Sequence, residues 1–335
     1  MAKTAVTRRI LQVPLMDFEG KPTLLIEAMR DPEKFARDRA NIVRGSIERY
    51  FVNLDRIEEC VDHAIINPFD EATLQFRADF KPIDVNYYMH LDLSTLRRKK
   101  GDACGIAMAH VHGFRDVFGG SDIGVIKSPE ITVDFMGRIL PVGGREFDIN
   151  DVLKVVVWLV DKGFNLRLIT MDSPSLSAMP MQELRSKWGI VTHHMSIDRT
   201  ANVIDLNKRG EPRANTNKQY LIAYETARVA WNEGRVVMPD HPYLFEEIKA
   251  AQYWVRKNRV QPTRGKSDDL LQAVIGAILN ATVNEAGRDW VLRVGQPTGP
   301  RGINWMTDMI DPFYKTDDWK WEEIKEYSQI EDDRY

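Results

Sequence analysis

Cysteine is nearly missing from this sequence: Cys60 and Cys104 are the only two in 335 residues. They lie far apart and show neither Cys-x-x-Cys nor Cys/His spacing. That argues against a disulfide framework and a structural zinc site, and it fits a reducing compartment. Long hydrophobic runs are missing too. No stretch of about 18 apolar residues occurs, and the N-terminal residues lack a continuous apolar segment, so membrane spanning and secretion are disfavoured and the cytosol is expected. Neither charge is in clear excess, with 46 Lys and Arg against 49 Asp and Glu. A net charge of -3 neither demands nor excludes nucleic acid, and any basic surface has to be local. Internal repeats and low-complexity tracts are absent. The chain does contain 43% hydrophobic and 28% charged residues, the composition of a globular protein with one large domain plus appendages.

Apolar residues at helical spacing between Pro22 and about Cys60 predict two or three amphipathic helices. Turn signals at Asn67-Pro68-Phe69-Asp70 and Lys81-Pro82-Ile83-Asp84 place a domain boundary near residue 80. Three segments of β character come next, Tyr87–Ser94, Cys104–Phe114 and Glu130–Leu140, and suggest three neighbouring antiparallel strands. From Ile149 to Lys162, residues Val152, Val155, Val156, Leu159 and Val160 recur at helix spacing, and Gly163 ends the helix.

Leu166–Asp172 reads as a short buried strand, Pro180–Trp188 as a helix and Gly189–Ile197 as a further strand. Lys218–Glu233 is an amphipathic helix closed by Gly234. A last helix runs from about Ser267, a candidate N-cap, to Ala281. Beyond Arg288 the chain is acidic, aromatic and punctuated by Gly and Pro, as an extended or poorly ordered tail would be. The order implies an α/β fold, a mixed sheet flanked by helices. The expected division is a helical, linker-like segment over 1–80, a catalytic domain over 81–288 and a tail over 289–335.

Three acidic positions stand out. Asp92 sits inside a strand pattern, where it shares a face with His90 and Ser94; an edge-strand carboxylate facing water is the plain alternative. Asp172 ends Leu166–Asp172, where open α/β sheets place ligand sites, although an Asx-turn before Ser173-Pro174 would also use an aspartate. Asp268 and Asp269 open the last helix, where acids commonly complement the helix dipole. Taken singly, each has an ordinary explanation. Together they form a carboxylate set on a first strand, a central strand and a final helix. Such clusters repel unless cations neutralise them, and hard oxygen ligands suit Mg²⁺ or Mn²⁺. Two such ions about 3.5–4 Å apart would activate water and stabilise the leaving oxygen in phosphodiester cleavage.

The motifs around these acids resemble the C-terminal, RNase H-like nuclease domain of the large terminase subunit of tailed bacteriophages. Tyr87-Tyr88-Met89-His90-Leu91-Asp92-Leu93-Ser94, with Gly101-Asp102 and Gly105 through His110-Val111, looks like that family's first strand and hairpin. Leu168 to Asp172, Met181 to Leu184, Gly189-Ile190 and Ser196 to Arg199 look like its second catalytic strand and the successor of that strand, with a longer turn between. Tyr224-Glu225, Gly234 to Pro239, His241 to Leu244 and Glu246 to Ile248 resemble a further segment, and Asp268-Asp269-Leu270 its aspartate-bearing helix. Where some relatives carry another acid, this chain has Gln272, which cannot serve as a ligand.

The resemblance covers about residues 68 to 281. It implies an endonuclease cutting duplex, concatemeric viral DNA during genome packaging, with Asp92, Asp172 and Asp269 catalytic and Asp268 an uncertain further metal ligand. Its implied partners are double-stranded DNA, a terminase ATPase module, the small terminase subunit and the portal, in the cytoplasm of an infected bacterium.

Family members join the nuclease to an N-terminal ATPase. Here the only Walker-like string is Arg264-Gly265-Lys266-Ser267, with Val260 at the required upstream glycine and without the strand-loop context a P-loop needs, so no ATPase activity is expected. The chain then reads as a fragment, an engineered piece or a split subunit. For DNA contact, Arg97-Arg98-Lys99-Lys100 after the Asp92 strand is one candidate; a run of Arg256, Lys257, Arg259, Arg264 and Lys266 is another. His193-His194 point to opposite faces of a strand and are not assigned. The competing readings are an RNase H-like resolvase or ribonuclease, and a packaging scaffold without catalysis.

Overall fold

The computed structural model describes residues 47–93, 103–118, 125–140, 148–172, 174–195, 197, 201–203, 218–220, 222–254 and 259–286. The helices expected before residue 47, the basic stretch Arg97–Lys100 and the tail after Arg288 lie outside these residues. Two compact units are present; the smaller, 202–218 with 300–335, is almost wholly outside the described residues. No described helix is long and apolar enough to cross a membrane.

Among the described residues, the larger unit begins with β1 (Ile47–Arg49), a one-turn helix α1 (Leu54–Glu58) and a small hairpin of β2 (Phe69–Asp70) and β3 (Gln75–Phe76). The helical expectation for 22–60 is therefore corrected at Ile47–Arg49, while Leu54–Glu58 is helical as expected. Ile47–Arg49 is an edge strand because its backbone pairs antiparallel with Gln252–Trp254, a long-range partner that local propensity cannot register.

The central sheet begins with the meander expected from sequence: β4 (Tyr87–Asp92), β5 (Cys104–Phe118) and β6 (Val125–Ile139), antiparallel in that order. Helix α2 (Ile149–Asp161) follows. The Asp148 side chain caps it by accepting from Asn150 N at 2.9 Å, and Gly163 at φ 87° closes it in the left-handed region. Then come β7 (Leu166–Met171), α3 (Pro174–Trp188) and β8 (Thr192–His194). Helix α3 starts six residues earlier than Pro180, the expected start: Pro174 suits a first helical position, and Pro180 lies inside the helix. Strands β9 (Ala201–Val203) and β10 (Lys218–Tyr220) form a separate ribbon.

Helix α4 (Ile222–Asn232), β11 (Val236–Val237) and α5 (Pro242–Ala250) lead to a hairpin of β12 (Ala251–Trp254) and β13 (Arg259–Pro262), which with β1 forms a three-stranded sheet. A strand thus does precede the Walker-like string, contrary to expectation. It is an antiparallel hairpin strand, and the helix after it begins only at the acidic pair. That helix, α6 (Asp269–Ala286), runs five residues beyond the expected Ala281.

The main sheet has the order β11-β6-β5-β4-β7-β8, with only β5 antiparallel to its neighbours. Starting from β4 this is the 3-2-1-4-5 arrangement of an RNase H-like fold with one added strand. Every residue of β4 is buried, as a central strand covered on both faces requires. One face packs with α2, α3 and the β2–β3 hairpin through Met89, Leu91, Ile106, Met108, Phe135, Val156 and Leu159. Phe69 of that hairpin sits over the bare backbone of Gly137.

The other face carries α6, apolar on nearly all sides and buried against β4, β5 and β6 with α4 and α5 behind it. This interface holds a polar row. His90 Nδ1 lies 2.7 Å from Thr170 Oγ1, and Asn280 Nδ2 donates to Thr170 Oγ1 at 2.7 Å and to Met89 O at 2.9 Å. Gly276 makes room for the ring: a β-carbon there would stand 2.2 Å from His90 Cγ. By helix propensity alone Gly276→Ala gains about 1 kcal/mol; because His90 is held in place, the variant is instead expected to lose about 1–3 kcal/mol. Thermal or urea unfolding reads the sign.

Candidate active site

Strands β4 and β7 run parallel with Leu91 opposite Met171. Asp92 is the last residue of β4 and Asp172 the first after β7, so both carboxylates stand at the C-terminal edge of the sheet. Backbone hydrogen bonds lock them together: Asp172 N donates to Leu91 O at 3.3 Å, and Leu93 N donates to Asp172 Oδ1 at 2.6 Å.

The third acid arrives through a glycine. Asp92 is paired with Gly105 on β5, and a β-carbon on Gly105 would lie 2.0 Å from the carbonyl oxygen of Asp269. Only a residue without a side chain lets the first turn of α6 settle on the sheet beside Asp92. The Asp269 carboxylate then accepts from Ala103 N at 3.0 Å and from the Ser267 hydroxyl at 2.6 Å. Ser267 thus acts more on the side chain of Asp269 than as the expected cap, its oxygen lying 3.3 Å from Asp269 N. Asp268 directly precedes the helix, and its carbonyl accepts from Gln272 N at 2.8 Å.

Asp92 is only 6% exposed, so it is not a carboxylate of an edge strand facing water. Burial raises its pKa well above the carboxylate range, and the charges of Asp172, Asp269 and Asp268 raise it further. Burial, then Asp92, Asp172 and Asp269, also push up the Cys104 thiol, which stays protonated. His90, two residues back on the same face, is pushed down to about 3 by burial and by His194, so its ring is neutral.

One site residue escaped the sequence reading. Glu247 of α5 is buried and accepts from Leu271 N, in the first turn of α6, at 2.7 Å. Burial pushes its pKa from the ordinary 4.5 to about 7; Asp269 and Asp268 add to this, and the Leu271 hydrogen bond opposes it. The signal was available: Leu244, Glu247 and Ile248 share the buried stripe of α5, which puts a carboxylate on an apolar helix face.

The sequence-predicted acids Asp92, Asp172, Asp268 and Asp269 are therefore brought to one end of the sheet. Among the described residues, no three Asp, Glu, His or Cys side chains converge tightly enough to hold an ion as they stand. Two of the carboxylates are turned to hydrogen bonds of their own. The donor set is nevertheless hard oxygen, and its mutual repulsion in a buried place is what divalent cations relieve.

Of the basic residues, Arg97, Arg98, Lys99 and Lys100 lie outside the described residues, as do Arg256 and Lys257. Arg264 and Lys266 are exposed on the turn between β13 and α6, with Lys266 Nζ 3.6 Å from Glu246. His193 and His194, on β8, are half-buried.

Neither a protein-family model nor a curated protein sequence matches the chain. In structure it is similar to the large terminase nuclease from thermophilic phage G20c with bound magnesium, at 11% identity and a TM-score of 0.44, covering 69% of this chain and 97% of that one. It is also similar to the large terminase of a second thermophilic bacteriophage, at 11% identity and a TM-score of 0.45, over 79% of this chain and 53% of that one. The HK97 bacteriophage large terminase matches at 13% identity and a TM-score of 0.36, over 75% of this chain and 48% of that one. These likenesses give no residue a role.

The raised acids make a pH prediction. A carboxyl whose pKa is higher folded than unfolded binds its proton more tightly in the native state, so its stability contribution is lost as pH rises from the ordinary value through the folded one. For Glu247 that window is 4.5 to about 7. His90 acts in the opposite sense below its ordinary 6.5, so the wild-type curve alone mixes the two. Without divalent ions, Glu247→Gln is expected to match wild type near pH 4 and to exceed it above pH 7 by about 3 kcal/mol, at about 1.4 kcal/mol per pKa unit. Denaturant melts of both proteins across pH check it.

Proposed function

We propose that this chain is a metal-dependent endonuclease that cuts duplex DNA by phosphodiester hydrolysis, as the nuclease part of a phage genome-packaging machine. The observation that carries this reading is the burial of Asp92 among Asp172, Asp268 and Asp269 at the carboxyl end of a central strand. A protein gains no stability from such a grouping, and it suits a site completed by cations.

In this reading Asp92, Asp172 and Asp269 hold two divalent ions, Mg²⁺ or Mn²⁺, with Asp268 as a further ligand. Bound there, the ions supply an activated water and neutralise charge on the phosphate. The chain's own groups do the positioning. Leu93 N orients Asp172, Ala103 N and the Ser267 hydroxyl orient Asp269, and Gly105 admits the turn that carries it. Hydrolysis by water without a covalent enzyme intermediate is what the family resemblance implies, and the Cys104 thiol, buried and held above its ordinary pKa, fits that reading. Neutral His90 packs beneath Asp92 without adding charge to the ligand set.

The domain spans 81–288. Arg97, Arg98, Lys99, Lys100, Arg264 and Lys266 grip the DNA backbone. The chain's partners in this reading are a terminase ATPase module, the small subunit and the portal. Translocation energy comes from that separate ATPase, in the cytoplasm of the infected host.

Nicking of supercoiled plasmid in Mn²⁺ is the test. Residues that merely support metal ligands are already worth about 10–100-fold, so Asp92→Ala and Asp172→Ala are each expected to lose at least about 100-fold. If Asp92→Ala cuts as fast as wild type, or if both are inert while still binding DNA, the nuclease reading is abandoned.

A further inference from the structure

Asp92, Gly105 and Arg138 lie directly opposite one another on β4, β5 and β6. Residues in such a row leave the same face of the sheet, here the face that receives α6, and two strand spacings put Arg138 roughly 10 Å from Asp92 between α-carbons. A cation thus stands two strands from the buried acids.

The surroundings of Arg138 are unusual for an arginine so enclosed. Its guanidinium is stacked on the Tyr243 ring, with Cζ 3.4 Å from the centroid. Its Nε is buried without a hydrogen-bond partner, and Glu71 Oε1 stands 3.7 Å away. That same Glu71 oxygen already accepts from Arg138's own backbone N–H at 2.7 Å and faces His241 Nε2 at 3.1 Å. Among the described residues the guanidinium makes no hydrogen bond.

Arg235 shows what a structural arginine looks like in this protein: it is fully enclosed and donates to Pro129 O at 2.8 Å and to Glu233 at 2.6 Å. Arg138 keeps its planar fork of donors unused, fixed in orientation by the ring and reachable through the 13% of its side chain that remains exposed. A fork held in that way matches the paired oxygens of a phosphodiester.

The geometry points to Arg138 as a phosphate-binding residue, taking a backbone phosphate of the DNA strand next to the one held at the carboxylates. This rests on the nuclease reading for its context. The consequence is a fixed positive charge beside an acidic site that would otherwise repel the strand, and a reference point for strand register. Tyr243 is the positioning partner, since its ring sets the plane of the fork.

The test measures duplex binding by fluorescence anisotropy in Ca²⁺ over a salt series, with Mn²⁺ titration and melting temperature alongside. Arg138→Gln is expected to weaken binding about 10-fold for any sequence and to lower the slope of log K against log salt by about 1. Mn²⁺ affinity and melting temperature stay at wild-type values. Unchanged DNA affinity and slope would overturn the assignment. So would a loss of Mn²⁺ affinity or of folded protein in step with DNA binding, the result of a purely structural role next to Glu71.

Should Arg138→Gln fail to fold, Arg138→Lys decides: reduced affinity with an unchanged slope is expected, because charge is kept and the fork lost, and wild-type affinity overturns it. Wild-type protein that binds but never nicks plasmid sinks the nuclease reading alone. Arg138→Gln that binds like wild type sinks only the phosphate contact.

Discussion

The carbonyl of Asp269 occupies the space that a β-carbon of residue 105 would fill, and the first turn of α6 can lie on the sheet only because that position is glycine. The rest of the carboxylate end depends on this approach. It brings Asp269 and Asp268 within electrostatic range of Asp92, lets Ala103 N bond the Asp269 carboxylate, and sets Leu271 N against Glu247. Gly276 repeats the device two turns along, over the ring of His90. The helix is therefore pinned to the sheet at two points of backbone-level contact, with Asn280 and Thr170 fixing its rotation by hydrogen bonds between them and the far end. Side-chain packing of Leu, Ile and Val could tolerate small slips; these contacts cannot.

Such precision is spent on an arrangement that is electrostatically unfavourable when empty of cations. Asp92 is buried among like charges, and the pKa of Glu247 is driven toward neutral pH. A fold selected only for stability would place apolar residues or ion pairs there. The opposite end of the same sheet shows the contrast. There His110 and Asp134 are also largely enclosed, but they are joined by a hydrogen bond of 2.9 Å. Clustered carboxylates at one end and a hydrogen-bonded histidine–aspartate pair at the other distinguish a site built to receive something from a network built to hold itself together.

Much of the architecture was legible in the sequence because its signals are local. The alternation in Tyr87–Asp92 and Glu130–Ile139, the Val and Leu repeat of α2 with Gly163 after it, and the apolar body of α6 each report an element within its own span. The elements that escaped are those stabilised from far away. Ile47–Arg49 is a strand only because β12 lies beside it, and the β12–β13 hairpin sits in a stretch whose basic residues dominate its appearance. The first six residues of α3 were hidden by two prolines and a run of serines that normally mark a turn.

The candidate site divides in the same way. The sequence by itself picked out an aspartate within a strand pattern, one at a strand end and a pair at a helix start, since a carboxylate in an apolar pattern is visible without a structure; that Asp92 is the last residue of its strand came from the structure. Only the tertiary structure decided that they share one end of the sheet, because that depends on β4 and β7 being parallel neighbours and on a glycine opposite Asp92. Arg138 belongs wholly to the second class, and Glu247 belongs to it for its partners, although its place on an apolar helix stripe was legible. What surrounds them gives each its place: the start of α6 for Glu247, and an aromatic ring beside a guanidinium without hydrogen bonds for Arg138. The physical reason is range: periodicity and capping act over a few residues, whereas burial and electrostatic coupling are set by contacts between segments 24 to 170 residues apart.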